Sequence, residues 1–201
     1  MQNKFDILIN SFLDNKVGIS DNFISTPLSS KLIETLQTIY ADKQMYSAGT
    51  GNNIILEHNK LFRSDMIYWL DRKHGNVSEN SFLNMIDDFI LYLNETCYTG
   101  ITEYEFHYAL YEKGSFYKRH LDQFKNNDCR KYTMILYLNE DWVKNDGGEL
   151  CIYQNGEEQN ISPNEGKMVF FKSNELEHEV LVTNKCRMSI TGWLKTSTML
   201  S

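Results

Sequence analysis

Residues 132–153, YTMILYLNEDWVKNDGGELCIY, contain two short apolar and aromatic runs separated by a segment rich in turn residues. The first run is TMILYLN and the second is GGELCIY, and the Asn, Asp and Gly residues between them favour a reversal of the chain. Runs of this length that are bounded by turn residues are typical of β-strands. This stretch therefore predicts two strands of a sheet.

Similar runs continue the pattern through the second half of the chain, from residue 103 onward. They are EFHYALY (105–111), GKMVFFK (166–172), EVLVT (179–183) and CRMSITGWL (186–194). Several short strands with regular Gly, Asn and Asp breaks are typical of a β-sandwich or jelly roll. Residues 101–201 are therefore expected to form a jelly-roll core, which is also called a double-stranded β-helix.

The first half of the chain has a different period. Apolar residues recur at helical spacing over about 27–43, where Thr26 and Pro27 resemble an N-cap and a first-turn proline, and again over about 81–96. A strand-like MIYWL segment lies between them. The expected fold is α+β, a single domain over 1–201 in which the helices of 1–100 pack on one face of the jelly roll.

The composition is that of a globular protein and argues against several classes of partner. The net charge is −7 and no long basic block is present, so a nucleic-acid partner is not expected. No apolar run is long enough for a signal segment or a membrane span, so no membrane partner is expected. The four cysteines form no CxxC pair, and together these features predict a cytoplasmic protein with reduced thiols.

A possible metal site is indicated by His120, Asp122 and His178. His120 and Asp122 are two residues apart, so on a strand both side chains would point to the same face. His178 lies at the start of a later β-like run and would complete a set of two histidines and one carboxylate. Such a set suits a non-haem iron(II) oxygenase, since it leaves adjacent coordination positions open. A zinc hydrolase with three protein ligands is the alternative at this stage.

Arg187 favours the oxygenase interpretation. On a strand, Arg187, Ser189, Thr191 and Trp193 would alternate onto one face, inside the barrel. A buried guanidinium needs an anionic partner, and its planar fork matches a carboxylate. The distal carboxylate of 2-oxoglutarate would supply that partner, whereas a local Asp or Glu would give it a purely structural role.

Five stretches of the chain resemble one family. They are RSDMIYWL (63–70), YEKGSFYKRHLD (111–122), residues 132–153, GKMVFFKSNELEHEV (166–180) and CRMSITGW (186–193). The family is that of the 2-oxoglutarate and iron(II)-dependent dioxygenases of the prolyl 4-hydroxylase type, with similarity to the hypoxia-inducible-factor prolyl hydroxylases and their bacterial relatives. The resemblance covers about residues 50–195. It implies Fe(2+) held by His120, Asp122 and His178, with 2-oxoglutarate and O2 as cosubstrates and ascorbate as a stimulant.

The resemblance also implies roles for residues around the cosubstrate. Arg187 and Tyr137 match the pair that binds its distal carboxylate, Thr191 and Trp193 match positions that line its pocket, and Tyr111 matches a tyrosine at the pocket mouth. The segment from Tyr111 to His120 is one residue shorter than in the animal enzymes. The fit of the substrate is therefore less transferable than the chemistry.

The family implies hydroxylation of a proline, at its 4-position, in a protein or peptide partner, with formation of succinate and CO2. Arg63 and Asp65 match the start of the family's substrate loop, and we expect Asp65 to pair with Arg130 when a 50–66 loop closes over the peptide. Two alternatives to a protein prolyl hydroxylase remain. One is a hydroxylase of a free amino acid or other small metabolite, and the other is an inert ligand-binding jelly roll whose histidines are structural.

Overall fold

A computed structural model of the chain describes residues 4–49, 61–123 and 129–197. Within these ranges the α-helices lie in the first half of the chain and most strands in the second half, which confirms the expected α+β class. The helices are α1 (Lys4–Asn15), α2 (Thr26–Ala41) and α3 (Val77–Cys97). The strands are β1 (Val17–Ser20), β2 (Tyr46–Ser47), β3 (Met66–Trp69), β4 (Glu103–Tyr111), β5 (Tyr117–His120), β6 (Arg130–Tyr137), β7 (Leu150–Gln154), β8 (Glu157–Ile161), β9 (Met168–Lys172), β10 (Glu177–Val180) and β11 (Arg187–Lys195).

The strands form two antiparallel sheets that enclose an inner core. The larger sheet has the order β1-β9-β6-β11-β4-β3-β2, and the smaller sheet has the order β5-β10-β7-β8. Buried side chains from both sheets meet between them, including Ile135, Leu150, Ile152, Val169 and Phe171. This arrangement is the double-stranded β-helix that the strand pattern predicts.

The helices cover the outer face of the larger sheet, as predicted. One cluster of buried side chains joins Leu8 of α1, Leu36 of α2 and Phe89 of α3 to Phe170 of β9 and Ile190 of β11. All five side chains are fully buried. Burial of each such side chain contributes roughly 1.5–3 kcal/mol to stability. The helical layer therefore holds the larger sheet in place. No helix in the described ranges has the length and hydropathy to cross a bilayer.

Strand β11 separates this helical core from the space between the sheets. Ile190 and Leu194 pack into the helical cluster, whereas Arg187, Thr191 and Trp193 line a cavity on the opposite face. The two-residue period of a strand explains the division, because successive side chains point to opposite faces. The predicted alternation along this strand is thereby confirmed.

Both predicted helices are present, with shifts at their starts. The N-cap of α2 is Ser25, so the prediction that Thr26 is the cap was wrong by one residue. α3 begins at Val77 rather than at residue 81, because the Asn76 side chain accepts hydrogen bonds from two backbone amides of the first turn. Helix α1 and strands β1, β2 and β8 were not predicted. β8 carries mostly exposed side chains and so lacks an apolar pattern.

Candidate active site

Three potential metal ligands meet at the cavity between the sheets. The Nε2 atom of His120 lies 3.3 Å from Oδ1 of Asp122, and the Nε2 atom of His178 lies 3.5 Å from its Oδ2. One ligand atom from each residue lies within 4.8 Å of the other two. Two imidazoles and one carboxylate on one side of an ion leave its other side open for further ligands.

Strand pairing brings the two histidines together. β5 and β10 are antiparallel neighbours, and His120 lies directly opposite His178 in their register. Asp122 lies two residues beyond the end of β5, in a bend, so the prediction that it shares a strand with His120 was wrong. Its carboxylate is directed by Thr133 instead, whose hydroxyl donates to Oδ2 at 2.8 Å.

Backbone carbonyls select the tautomer of both imidazoles. The Nδ1 atom of His120 lies 2.7 Å from the carbonyl oxygen of Lys118, and that of His178 lies 3.1 Å from the carbonyl oxygen of Leu176. A carbonyl oxygen accepts only, so each Nδ1 carries the proton and donates it. In the neutral form of this tautomer Nε2 has the lone pair, and in both residues Nε2 faces Asp122 and can bind a metal.

The electrostatics of the site favour the ligand forms of two of these groups. Burial lowers the pKa of His178, against the opposing charge of Asp122, and so favours the neutral imidazole. Burial alone would raise the pKa of Asp122, but the two nearby imidazoles and the Thr133 hydroxyl lower it on balance. A neutral imidazole and an ionised carboxylate are the forms that bind a metal ion.

Arg187 places a buried cation in the same cavity. Its side chain is 1% exposed, and its Nε donates to the carbonyl oxygen of Gly148 at 2.8 Å. Its guanidinium carbon lies 4.9 Å from the ring centre of Tyr111 and 5.0 Å from that of Tyr137. No carboxylate in the described ranges pairs with it. A buried cation of this kind is costly unless a ligand supplies the anion.

Tyr137 adds a second unused donor beside Arg187. It is fully buried, and its hydroxyl has no hydrogen-bond partner among the residues that the structure describes. Burial raises the pKa of Tyr137 to about 12, although the Arg187 charge opposes this, so the hydroxyl stays protonated at neutral pH. A guanidinium without a carboxylate partner in the described ranges and a phenol without an acceptor there fit a ligand carboxylate.

The cavity has the size and donor set that an iron ion and a small dicarboxylate require. Its volume is about 440 Å³, within the range of roughly 300–1,000 Å³ that is usual for small-molecule sites. Its walls include both the histidine–aspartate set and Arg187. The residues therefore fit iron(II) at one place and the free carboxylate of a chelating cosubstrate at the other.

The other predicted cosubstrate residues also line the cavity. Thr191 and Trp193 lie on its wall, on β11. Tyr111 is 5% exposed and lies opposite Arg187 in the register of β4 and β11. It therefore lies beside the buried guanidinium and lines the same cavity. Strand register decides this position, and a single sequence does not reveal it.

The three residues assigned to substrate binding lie near the cavity, and without a bound peptide Asp65 pairs with Arg63 rather than with Arg130. Arg63 binds both carboxylate oxygens of Asp65, at 2.7 and 2.6 Å, and the Asp65 side chain is fully buried. Arg130 binds Glu105 through Nε at 2.9 Å and lies 3.4 Å from the ring centre of Trp193. The expected contact between Asp65 and Arg130 is absent from the described part of the chain. Arg63 occupies both oxygens that the contact would use.

Of the predicted 50–66 loop, residues 50–60 lie outside the described residues. The described part reaches the metal site through Arg63, whose guanidinium carbon lies 4.1 Å from the ring centre of Tyr117. Tyr117 in turn stacks on His120. These contacts connect the end of the predicted loop to a potential metal ligand.

The sequence predictions missed several residues that line or support the cavity, among them Trp69, His107, Tyr117 and Thr133. His107 has the same parity on β4 as Tyr111, which would have placed both side chains on one face. Thr133 likewise shares parity with Tyr137 on β6. Trp69 and Tyr117 reach the site through strand pairing, which leaves no local signal.

The 2OG-Fe(II) oxygenase superfamily model matches residues 106–195 of the chain. This span begins in β4, ends with β11, and contains the histidine–aspartate set and Arg187. The match therefore falls on the part of the fold that forms the cavity.

Three relatives extend the similarity. A solved Pseudomonas putida prolyl-4-hydroxylase is 30% identical, with a TM-score of 0.86 over 96% of this chain and 99% of that chain. A Trichoplax adhaerens prolyl hydroxylase, solved with a hypoxia-inducible-factor peptide fragment, shares the fold at 24% identity and a TM-score of 0.84, over 95% of this chain and 88% of that chain. Human Egl nine homolog 1 is 29% identical over 89% of this chain and 44% of that protein. The chain spans about half the length of this and two similar rodent relatives.

Proposed function

The chain belongs to the 2OG-Fe(II) oxygenase superfamily, and from this premise we propose that it hydroxylates a prolyl residue, at the 4-position, in a protein substrate. The cosubstrates are 2-oxoglutarate and dioxygen. One observation carries the oxygenase part of the proposal, namely that the buried Arg187 has no carboxylate partner among the described residues and shares its cavity with the histidine–aspartate set.

In this proposal His120, Asp122 and His178 hold iron(II). The carbonyl oxygens that accept from the two Nδ1 atoms keep both imidazole planes fixed, and Thr133 holds the carboxylate in place. Prior placement of these ligands means that little reorganisation is required on metal binding. The protein therefore orients three metal ligands and leaves the other coordination positions of the ion open.

Arg187 and Tyr137 bind the distal carboxylate of 2-oxoglutarate. The guanidinium donates through its terminal nitrogens, since its Nε is occupied by Gly148, and the Tyr137 hydroxyl donates its proton. Tyr111 packs against the same guanidinium and keeps water from it. Thr191 and Trp193 line the remaining wall of the pocket.

When bound, iron(II) with 2-oxoglutarate and dioxygen supplies the oxidation: 2-oxoglutarate becomes succinate and carbon dioxide, and one oxygen atom enters a substrate C–H bond. The protein contributes the position of each reactant and a site that excludes water.

The prolyl part of the proposal rests on the comparisons. The solved Pseudomonas putida relative, whose full chain aligns with this one, is a prolyl-4-hydroxylase. The Trichoplax adhaerens relative was solved with a peptide. A proline-containing protein or peptide is therefore the substrate class that we propose. The absence of disulfides among the four cysteines is compatible with the cytoplasmic location proposed for this enzyme.

The test has two stages. Purified protein is incubated with iron(II), ascorbate, dioxygen and 2-oxoglutarate, and succinate is measured against a His178→Ala variant. Proteins recovered from cells with the active chain or with this variant are then compared by mass spectrometry for prolines that carry an added oxygen. No succinate from the active chain would favour an inert ligand-binding jelly roll. Succinate with oxygenated small metabolites, but without oxygenated prolines, would favour a metabolite hydroxylase.

A further inference from the structure

His107 on β4 is a buried polar group in the cavity that the proposed roles leave unused. It is 4% exposed, its ring lines the cavity, and its Nδ1 has no hydrogen-bond partner in the described parts of the chain. Its ring centre lies 4.9 Å from that of Trp69 and 5.5 Å from that of Trp193. A buried nitrogen without a partner costs free energy, so a function that supplies a partner is expected.

His107 lies in a different part of the cavity from the cosubstrate carboxylate site. In the register of β4 and β11, Tyr111 is opposite Arg187 and His107 is opposite Thr191. Four residues along a strand correspond to about 13 Å, so the His107 imidazole is remote from the position of Tyr111 and the Arg187 guanidinium. On its other side β4 pairs with β3, where Trp69 lies opposite His107 and is 37% exposed. His107 thus lies beside a residue that both lines the cavity and reaches the surface, and we expect a substrate to enter on this side.

The chemistry of this wall favours an uncharged ligand group. Burial lowers the pKa of His107 to about 4, so at neutral pH the imidazole is uncharged and has one donor and one acceptor. The charged groups nearby have partners of their own, because Arg63 binds Asp65 and Arg130 binds Glu105. A free carboxylate or ammonium group would be desolvated here without a free counter-charge among the described residues of this wall. A peptide amide is uncharged and offers one donor and one acceptor.

We propose that His107 is a specificity-determining residue that hydrogen-bonds, as a neutral imidazole, to a backbone amide of the polypeptide substrate bound beside the metal site. This contact selects a residue within a peptide chain over the corresponding free amino acid. The inference rests on the proposed function and adds to it the group that distinguishes a peptide from a metabolite.

The test uses a library of acetylated and amidated peptides, each with one central proline, and free L-proline as the charged comparison. The best peptide is then studied with the metal-loaded protein and with His107→Leu and His107→Gln variants. Binding is measured without dioxygen, through the fluorescence of the protein's tryptophans, two of which flank His107. Turnover is measured as both succinate and hydroxyproline.

We expect His107→Leu to weaken peptide binding by about tenfold and to raise the ratio of succinate to hydroxyproline. The KM for 2-oxoglutarate and the affinity for metal should stay unchanged, which separates this role from a general loss of structure. His107→Gln keeps a donor and an acceptor and should recover most of the binding. His74→Gln, at a histidine whose ring does not line the cavity, serves as the matched control.

Unchanged peptide binding in both His107 variants would overturn the inference, as would a wild-type preference for free proline over every capped peptide. If His107→Leu does not fold, His107→Gln decides the question. In that case the inference stands only if His107→Gln binds peptide more tightly than a His107→Ala variant. If the wild type converts 2-oxoglutarate but hydroxylates no library peptide and no free proline, the proposed prolyl function itself fails, and the role of His107 fails with it.

Discussion

The phenol ring of Tyr117 stacks on the imidazole of His120, with ring centres 3.6 Å apart and planes inclined by 16°. Arg63 lies over the same phenol ring, and Asp65 holds the Arg63 guanidinium through two hydrogen bonds. A continuous set of contacts thus joins the end of the predicted substrate loop to a proposed metal ligand. Changes at Arg63 are therefore expected to affect the orientation of His120.

Replacement of the Tyr117 ring tests this connection. We expect Tyr117→Ala to weaken iron(II) binding by about tenfold, because His120 loses the flat surface that fixes its plane. Tyr117→Phe keeps the ring and should bind iron(II) like the wild type. Competition with a coloured chelator measures both affinities. An equal loss in the two variants would assign the effect to the hydroxyl rather than to stacking.

Removal of a metal ligand and removal of the buried guanidinium should have different consequences. His178→Ala takes away one of three ligands and should abolish stoichiometric iron(II) binding. Arg187→Ala should leave iron(II) binding intact and weaken 2-oxoglutarate binding by roughly tenfold to a hundredfold, because it removes charge-assisted hydrogen bonds. Calorimetric titration of each ligand separates the two effects. Arg187→Lys, which keeps the charge without the planar fork, should lie in between.

Gly148 supports Arg187, and its replacement should affect the cosubstrate as well as stability. Its φ is +67°, and a Cβ at this position would lie 3.1 Å from Cδ of Arg187. Gly100 has a nearly identical φ of +68°, but a Cβ there would meet nothing within 4 Å. We expect Gly148→Ala and Gly100→Ala each to lose about 1–2 kcal/mol of unfolding free energy from the left-handed backbone. Only Gly148→Ala should also weaken 2-oxoglutarate binding. Equal cosubstrate affinity in both variants would show that Arg187 tolerates the extra methyl group.

Features that depend on the period of one strand were accessible from the sequence. Along β11 the alternation of Arg187 and Thr191 with Ile190 follows from strand geometry alone, and the structure has this division. The helical stripes were accessible for the same reason, since the residues that they bury recur every three or four positions.

Features that depend on how strands pair were not accessible. Tyr111 lies beside Arg187, and His107 lies beside Trp69, because of the registers of β4 with its two neighbours. The position of Asp122 depends on a hydrogen bond from Thr133, which is remote in sequence. No local pattern of apolar and polar residues encodes these distances, so the predictions about them were wrong or missing.

The buried His107 should make the protein sensitive to acid. In the unfolded chain its pKa takes the ordinary value of 6.5, and in the folded chain burial lowers the pKa to about 4. Between these values the unfolded chain binds a proton that the folded chain does not, so stability is full above pH 6.5 and falls as the pH drops toward 4. The loss from this group amounts to about 3 kcal/mol.

His107→Leu should remove this contribution. Urea unfolding of the metal-free wild type and variant, at neutral pH and near the pKa of His107, gives four free energies of unfolding. We expect the wild type to lose more stability on acidification than the variant, with the excess assignable to His107. His178 also has a lowered pKa, but it is present in both proteins and cancels in the comparison. An identical loss in both proteins would contradict the burial argument.

The ion pair between Asp65 and Arg63 should contribute to stability. The Asp65 carboxylate is fully buried against Arg63, whose side chain is 15% exposed. We expect Asp65→Asn to cost about 3 kcal/mol of unfolding free energy, because it leaves a mostly buried guanidinium without its anion. Removal of both partners, in Arg63→Met with Asp65→Asn, should cost less than the sum of the single changes. Chemical denaturation measures each free energy of unfolding.

A second double-mutant cycle, between Asp65 and Arg130, distinguishes the two possible partners. The structure predicts a coupling energy of about 1–3 kcal/mol for Asp65 with Arg63 and one within about 0.5 kcal/mol of zero for Asp65 with Arg130. Repeating both cycles on peptide affinity tests the original expectation that Asp65 meets Arg130 when peptide is bound. If, in the peptide-affinity cycles, Asp65 is coupled to Arg130 and not to Arg63, then Asp65 exchanges partners on substrate binding. Absence of coupling to Arg130 would mean that the pair with Arg63 persists and that Arg130 acts through Glu105 and Trp193.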